Sequence, residues 1–122
     1  MTLLAVALAG ALGAPARYLV EQAVSTRVAH RFPWGTFVVN VSGSLALGLL
    51  TGLFLYHGLA ADAKTIVGTG FVGAYTTFST YAYETVRLAE HPGGRCRSVG
   101  YAVGSVLAGT LAAAGGMAVA AI

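Results

Sequence analysis

The sequence predicts an all-α membrane protein with four spanning helices, the third of which is broken near its middle. Its composition is the first observation: 57% of the 122 residues are hydrophobic and 9% are charged, whereas soluble domains carry about 25% charged residues. The second is a set of four apolar segments, each long enough to cross a ~30 Å hydrocarbon core as a helix rising ~1.5 Å per residue. The third is a polar, β-branched run inside the third segment, which a continuous helix tolerates poorly.

The four apolar segments cover residues 3–24, 36–56, 65–88 and 99–122, and we expect them to form one transmembrane domain. The connections between them are too short to hold a soluble domain, and Pro92-Gly93-Gly94 in the last connection is a helix stop. The first segment has the apolar character of a signal peptide. No positive residue precedes it, however, and apolar character resumes past Arg17, so we expect a retained membrane helix.

The charged residues argue against a nucleic-acid partner and suggest an orientation in the membrane. Seven basic groups against four acidic ones give a formal charge of +3, and the basic groups are scattered between the apolar segments. In the second connection, Lys64 is the only lysine or arginine. The positive-inside rule would place the first and third connections in the cytoplasm and both termini outside. The basic residues of those two connections are Arg27, Arg31, Arg95 and Arg97.

Several motif matches carry little weight. The glycines of residues 68–73 match a dinucleotide-binding fingerprint, but no strand precedes them and they lie within a spanning segment. Asn40-Val41-Ser42 matches a glycosylation sequon inside a membrane span, where a sugar cannot sit. No paired carboxylates and no nucleophile with a base are visible, so we do not expect an enzyme. The three histidines, each alone in a connection and unsuited to a metal cluster, are His30, His57 and His91.

Small residues recur at helical spacing within the spans. Gly48 and Gly52 are four residues apart, as are Gly100 and Gly104, so each pair lies on one face of its helix. Such spacing is typical of close helix packing in membranes, and we favour this interpretation over a ligand role.

Residues 73–84 form the candidate functional site. They combine four hydroxyl residues, four aromatic residues and the carboxylate of Glu84 within a spanning segment. A helix break inside a bilayer is tolerated only where its freed backbone groups face protein, water or an ion.

Other polar and aromatic residues in the spans each allow more than one interpretation. Asn40 either bonds a neighbouring helix or offers amide hydrogens to an anion. Arg17 either extends to the membrane surface, pairs with Glu21, or concentrates anions in an aqueous vestibule. Phe78 and Tyr81 share a helical face, where they either pack between helices or turn their positive ring edges toward an anion.

Three sequence runs together resemble the CrcB/Fluc family of small fluoride channels. They are GALGAPARY at 10–18, PWGTFVVNVSG at 33–43 and GFVGAYTTFSTY at 70–81. Each run alone is weak evidence for the family, but the order and spacing of the three runs match the family along nearly the whole chain. The resemblance implies a multi-pass protein of the bacterial plasma membrane that exports fluoride passively through two narrow pores, which lie at the interface of an antiparallel dimer.

The resemblance also implies roles for particular residues. Asn40 matches the pore asparagine, Phe78 the first pore aromatic and Tyr81 the second, which is usually phenylalanine; the extra hydroxyl could donate to the anion or narrow the path. Gly73 and Thr76 resemble the residues whose backbone carbonyls hold a structural sodium ion. Gly109 and Thr110 cannot be assigned. The remaining residues that resemble the polar track, pore wall or vestibule are Ser79, Thr80, Thr36, Glu84, Tyr101, Ser105 and Arg17.

Two questions stay open at this stage. The uneven charge of the connections fits either weak bias with dual insertion as a homodimer, or fixed insertion and pairing with an oppositely oriented sister subunit. The alternative functions are a four-span proton-coupled drug exporter, for which Glu21 is the candidate carboxylate in the first span, and a membrane assembly subunit that transports nothing.

Overall fold

The computed structural model describes residues 1–28 and 32–122, and these ranges are helical apart from short connections, with no strand among them. His30 and Arg31, which entered the predictions for the first connection, lie outside the described residues. The helices confirm the all-α prediction. Their bounds are α1 (Thr2–Ser25), α2 (Trp34–His57), α3 (Ala61–Lys64), a π-helix (Thr65–Val72), α4 (Gly73–Tyr75), α5 (Phe78–Glu90) and α6 (Arg95–Val119).

The third span is broken where the sequence predicts. Helices α1, α2 and α6 are each long and apolar enough to cross a membrane. Between α2 and α6 the chain instead runs through α3, the π-helix and α4 before the helical path stops. Thr76 has ψ 160° and Thr77 has φ −146° and ψ 123°, so both are extended, and α5 begins at the next residue.

Close packing of glycine backbones holds the π-helix against α1. A Cβ built on Gly13 would overlap the carbonyl group of Phe71, and one built on Gly70 would lie 2.8 Å from the carbonyl oxygen of Val6. A larger side chain at either position would push the two helices apart. Because π-helical turns are rare and frequently lie at functional sites, this stretch directly before the break marks the third span as irregular.

Helices α2 and α6 pack through small residues in the same way. Gly48 lies against the backbone of Ala113, and a Cβ on Gly52 would lie 2.9 Å from the carbonyl oxygen of Met117. These contacts confirm the packing role predicted for Gly48 and Gly52. No such packing is present for Gly100 and Gly104 among the described residues, because a Cβ at either position would meet none of their atoms within 4 Å.

The two ends of the bundle are distinct. At one end the residue that follows α2, Gly58, has φ 67° and ends that helix, and His57 Nε2 lies 2.7 Å from the carbonyl oxygen of Ala120. At the other end the first and third connections meet around one cavity. There Gly93, with φ 72°, follows Pro92 and confirms the predicted stop after α5. Both termini and the second connection therefore lie opposite the first and third connections.

Most large apolar side chains face outward. Val39 and Tyr101 are the largest fully buried side chains among those described, whereas Leu8, Leu12 and Leu111 are each more than half exposed. A water-soluble monomer rarely exposes so much contiguous apolar surface. The surface of α1, α2 and α6 therefore suits lipid or another protein chain.

Candidate functional site

Asn40 binds the backbone at the helix break. Its side-chain Nδ2 donates to the carbonyl oxygen of Thr77 at 2.9 Å, and its Oδ1 accepts from the backbone N–H of Thr77 at 2.8 Å. This pair of bonds satisfies the backbone of a residue that belongs to no helix. Asn40 therefore bonds the neighbouring span at the break between its helices. Its amide nitrogen keeps a second hydrogen that this contact does not use, so both interpretations of Asn40 are compatible with the structure.

The same contacts release two backbone carbonyl groups one turn apart. The N–H of Thr77 goes to Asn40 and not to the carbonyl of Gly73 in the preceding turn. The N–H of Thr80 goes to the hydroxyl of Thr77 at 3.2 Å, which caps α5, and not to the carbonyl of Thr76. Carbonyl oxygens freed by an unwound helix are the donors that hold Na⁺ in membrane transporters. The chemistry of Gly73 and Thr76 therefore fits the predicted sodium ligands.

A groove of about 340 Å³ runs beside the break. Asn40, Phe78, Tyr81 and Ser105 line it, together with both predicted sodium ligands. The hydroxyl oxygen of Ser105 is buried and has no hydrogen-bond partner within the described part of the chain. A buried hydroxyl group without a partner is costly, so this side chain is suited to a ligand that enters the groove.

Gly43 fixes how closely the break can approach α2. A Cβ on Gly43 would overlap the methyl group of Thr76. On the same helix, the hydroxyl of Ser42 lies 2.9 Å from that of Tyr75. Helix α2 therefore presents an amide, a hydroxyl and a bare glycine backbone to the broken span within four residues.

Three aromatic rings form a continuous wall from the groove into the protein. The ring centroids of Phe78 and Tyr81 are 5.7 Å apart, and those of Tyr81 and Tyr101 are 5.5 Å apart. The shared face predicted for Phe78 and Tyr81 is therefore present. Each phenol has a protein acceptor: Tyr81 donates to the carbonyl oxygen of Ala102 at 3.0 Å, and Tyr101 donates to Oε2 of Glu84 at 2.8 Å.

A second cavity of about 560 Å³, which we call the vestibule, opens at the end formed by the first and third connections. Thr36, Thr80 and Glu84 line it, and so does Glu21, whose Oε1 is buried and has no hydrogen-bond partner among residues 1–28 and 32–122. That oxygen is therefore not bonded to Arg17, contrary to the pairing we considered from the sequence. Further lining residues, from the two connections and the adjoining helix ends, include Phe32, Trp34, Arg87, His91 and Arg97.

Hydroxyl groups join the groove to the vestibule. Thr77 lines the groove and Thr80 lines the vestibule, and the hydroxyl of Thr77 donates to that of Thr80 at 3.0 Å. Ser79 is exposed on the same turn, 3.3 Å from the Thr77 hydroxyl. Because Thr80 receives this bond, its own hydroxyl hydrogen is free for another acceptor.

The structure thus brings most of the predicted site residues together. Asn40, Phe78, Tyr81 and Ser105 share the groove, and Thr36, Thr80 and Glu84 share the vestibule. Tyr101 is 1% exposed and lines neither cavity, but it contacts Tyr81 of the groove and Glu84 of the vestibule. Arg17, on α1 one turn before Glu21, also lines neither.

Sequence reasoning missed Thr77 as the centre of the site. It is one of the four hydroxyl residues of the candidate site at 73–84, and in the structure its backbone is held by Asn40 and its hydroxyl caps α5. A signal was available in the sequence. Thr77 stands directly before a helical stretch, and threonine is one of the residues preferred at the N-cap position of a helix. The aromatic side chains of Phe32 and Trp34 at the vestibule, with ring centroids 4.5 Å apart, carried no comparable signal.

Comparison with known proteins gives one family. The family described as "CrcB-like protein, Camphor Resistance (CrcB)" matches residues 4–117. Among curated relatives, a protein of Cutibacterium acnes named "Fluoride-specific ion channel FluC 2" is 46% identical over 119 residues, which cover 97% of this chain and 96% of the relative.

Two further relatives have closely similar names. "Fluoride-specific ion channel FluC 1" of Frankia casuarinae is 47% identical over 125 residues, which cover 98% of this chain and 96% of that protein. "Fluoride-specific ion channel FluC 1" of Leifsonia xyli is 52% identical over 90 residues, which cover 74% of this chain and 66% of the relative. In the last case the match therefore spans just under two thirds of the relative's length.

Proposed function

Because this chain belongs to the CrcB-like protein family, we propose that it is a fluoride-selective channel in the cell membrane, through which fluoride leaves the cell passively and its cytoplasmic concentration falls. The observation that carries this proposal is the 46–47% identity, over nearly the full length of both proteins, to two relatives named as fluoride-specific ion channels. The break, the groove and the vestibule supply a plausible route.

The proposed path leads between the vestibule and the groove along the hydroxyl groups of Thr80 and Thr77. Fluoride is small and strongly hydrated, so an apolar crossing is prohibitive unless protein groups replace its water. A channel must also release the ion, so several moderate donors serve better than one strong site.

Four groups can contact an anion without giving up an existing bond. They are the second amide hydrogen of Asn40, the hydroxyl of Ser105, the hydroxyl hydrogen of Thr80 and the ring edge of Phe78. The carboxylate of Glu84 is an acceptor and is held by Tyr101, so it would border the path without binding the anion. A path too narrow for the larger chloride ion would make the channel selective for fluoride.

The proposed assembly is an antiparallel dimer. The ring of Phe78 is 79% exposed although it lines the groove, so this wall is incomplete in a single chain. An oppositely oriented second subunit would cover it and close the path. Such a pair would also bring together the free carbonyl groups of Gly73 and Thr76 from both subunits. Those four oxygens would hold a structural sodium ion, which supplies positive charge to bind the two broken helices together.

The two forms of dimer can be separated with the native cysteine. Cys96 is exposed at the start of α6, in the region of the third connection, and it is the chain's single cysteine. A membrane-impermeant thiol reagent applied to one side of sealed vesicles would label half of the Cys96 population if the chain inserts in both orientations, which supports the homodimer. Complete or absent labelling supports fixed insertion and a sister subunit.

Fluoride efflux from proteoliposomes, followed with a fluoride electrode, tests the function. We expect the wild-type protein to pass fluoride and to retain chloride in a parallel measurement. Phe78→Ala should lower the fluoride flux by at least about tenfold, because the ring edge bordering the groove is lost. Tyr83→Ala is the matched control, since Tyr83 is a 64% exposed aromatic on the same helix and lines neither cavity. Equal fluxes of chloride and fluoride through the wild-type protein would refute the proposal.

The drug-exporter alternative is not favoured. Its candidate carboxylate, Glu21, borders the vestibule at the end of α1 and does not lie deep in the bundle. Support for this alternative would come from transport in the same efflux assay that depends on a proton gradient.

A further inference from the structure

Tyr81 has a hydroxyl group at a position where the family resemblance implies phenylalanine, and the structure accounts for that group. The hydroxyl donates to the carbonyl oxygen of Ala102 on α6 at 3.0 Å. That carbonyl lies inside a helix, and a carbonyl oxygen has a second lone pair that can accept a side-chain donor. The bond therefore ties α5 to α6 without removing a helical hydrogen bond.

A phenol has one hydrogen to donate. While it bonds Ala102, Tyr81 has none left for an anion, and its oxygen lone pairs would repel one. The part of Tyr81 that lines the groove is consequently its ring, between the rings of Phe78 and Tyr101. This geometry disfavours the expectation that the extra hydroxyl serves as an anion donor.

The tether belongs to a row of contacts that joins the same two helices. Tyr101 on α6 donates to Glu84 at 2.8 Å, and Ser98 on α6 donates to the carbonyl oxygen of Thr85 at 2.7 Å. Residues 81, 84 and 85 lie on one face of α5, since positions three and four apart are neighbours on a helix. Tyr81 is the member of this row closest to the break, where no other side-chain bond to α6 holds α5 among the described residues.

We propose that Tyr81 is a positioning residue of the fluoride path. Its hydroxyl anchors the ring to the fourth span, and the anchored ring edge sets the width of the groove next to Phe78. This inference rests on the proposed function, because it assigns a role within the path that fluoride would take.

Infrared spectroscopy of the phenol C–O stretch tests the tether directly. Protein with ring-¹³C-labelled tyrosine is reconstituted in lipid, and the difference between wild type and Tyr81→Phe isolates the Tyr81 band from those of the other tyrosines. Fluoride is a far stronger hydrogen-bond acceptor than an amide carbonyl. We expect the isolated band to have the same frequency in fluoride and in chloride. A shift that follows fluoride concentration would overturn the proposal, because it would place the hydroxyl on the anion.

Flux measurements supply the second readout. Tyr81→Phe keeps the ring and removes the tether, so we expect fluoride flux to fall by about two- to tenfold, the scale of one net hydrogen bond, and chloride leakage to rise. Tyr83→Phe removes an exposed phenol from the same helix and should match wild type. Wild-type flux and selectivity in Tyr81→Phe would contradict the proposal, and so would a loss well beyond tenfold. If wild-type protein passes fluoride, any such result overturns the role of Tyr81 alone; if it does not, the proposed function itself fails.

Discussion

Helix α2 makes two contacts of opposite character. Toward α6 it offers Gly48 and Gly52, whose bare backbones lie against the backbones of Ala113 and Met117. Toward the third span it offers Asn40, which hydrogen-bonds both backbone groups of a non-helical residue. The first contact joins two regular helices, and the second stabilises the break, where the backbone of the third span is not helical.

The difference shows how a small membrane protein can combine an irregular site, here the break, with a rigid frame, by which we mean the packed helices α2 and α6. Membrane helices gain little from excluding water, so close packing of small residues holds the frame together. The break has unsatisfied backbone groups that lipid cannot satisfy. It therefore needs a polar side chain from the frame, and Asn40 supplies both a donor and an acceptor.

The largest effect on stability should come from the frame contact. Gly48→Ala would drive a methyl group into the Ala113 backbone, and we expect a loss of stability of about 1–3 kcal/mol or more, because overpacking against backbone cannot be relieved by a rotamer change. The matched control is Gly115→Ala, since a Cβ there meets no atom within 4 Å. Unfolding midpoints in detergent measure both variants. Equal destabilisation of the two would contradict the packing argument.

The break contact should give the largest effect on fluoride flux, with a smaller effect on stability than the frame contact. Asn40→Asp keeps an acceptor for the Thr77 N–H but replaces the donor to the Thr77 carbonyl with a second oxygen and adds negative charge near the path. We expect fluoride flux to fall by about a hundredfold or more, equivalent to about 2.7 kcal/mol, while circular dichroism and the oligomeric state stay close to wild type. Flux within a few-fold of wild type would mean that Asn40 neither holds the break nor contacts the ion.

The smallest effect should come from Ser105, which belongs to neither contact. Its buried hydroxyl has no hydrogen-bond partner among the described residues. Ser105→Ala should therefore leave stability unchanged or raise it slightly, while fluoride flux falls by about three- to tenfold, on the scale of one hydrogen bond. Thr110→Ala is the control on the same helix, because the Thr110 hydroxyl bonds the carbonyl of Val106 at 2.8 Å. Loss of stability without loss of flux in Ser105→Ala would identify a structural hydroxyl instead of an ion contact.

The frame was largely predictable. Apolar segments of membrane length, Pro92-Gly93 after α5 and the β-branched run at Thr76 and Thr77 follow from local rules that need no partner. Gly48 and Gly52 were also recognisable, but the same spacing at Gly100 and Gly104 was misleading. Spacing shows which residues share a face of a helix and does not show what that face meets.

The residues of the candidate site could be predicted from the sequence, but the hydrogen bonds among them could not. Asn40, Phe78 and Glu84 stood out because polar or aromatic groups at those positions in a membrane span need a reason. The hydrogen bonds of the Tyr81 and Tyr101 hydroxyls were not predictable, because their acceptors lie about 20 residues away on α6 or on α5. Thr77 was undervalued since its importance lies in its backbone, which every residue has.

By itself the sequence determined that this chain is an α-helical membrane protein, that its third span is interrupted and which polar groups that interruption concerns. These conclusions depend on composition, length and local conformational preference, all of which are properties of short segments. Only the tertiary structure decided which donors are already used and which are free, namely that the hydroxyls of Tyr81 and Tyr101 are committed while those of Ser105 and Thr80 are not. The physical reason is that a hydrogen bond between distant residues depends on how the helices pack. The sequence of a donor's own segment does not show which acceptor the packing will bring within reach of it.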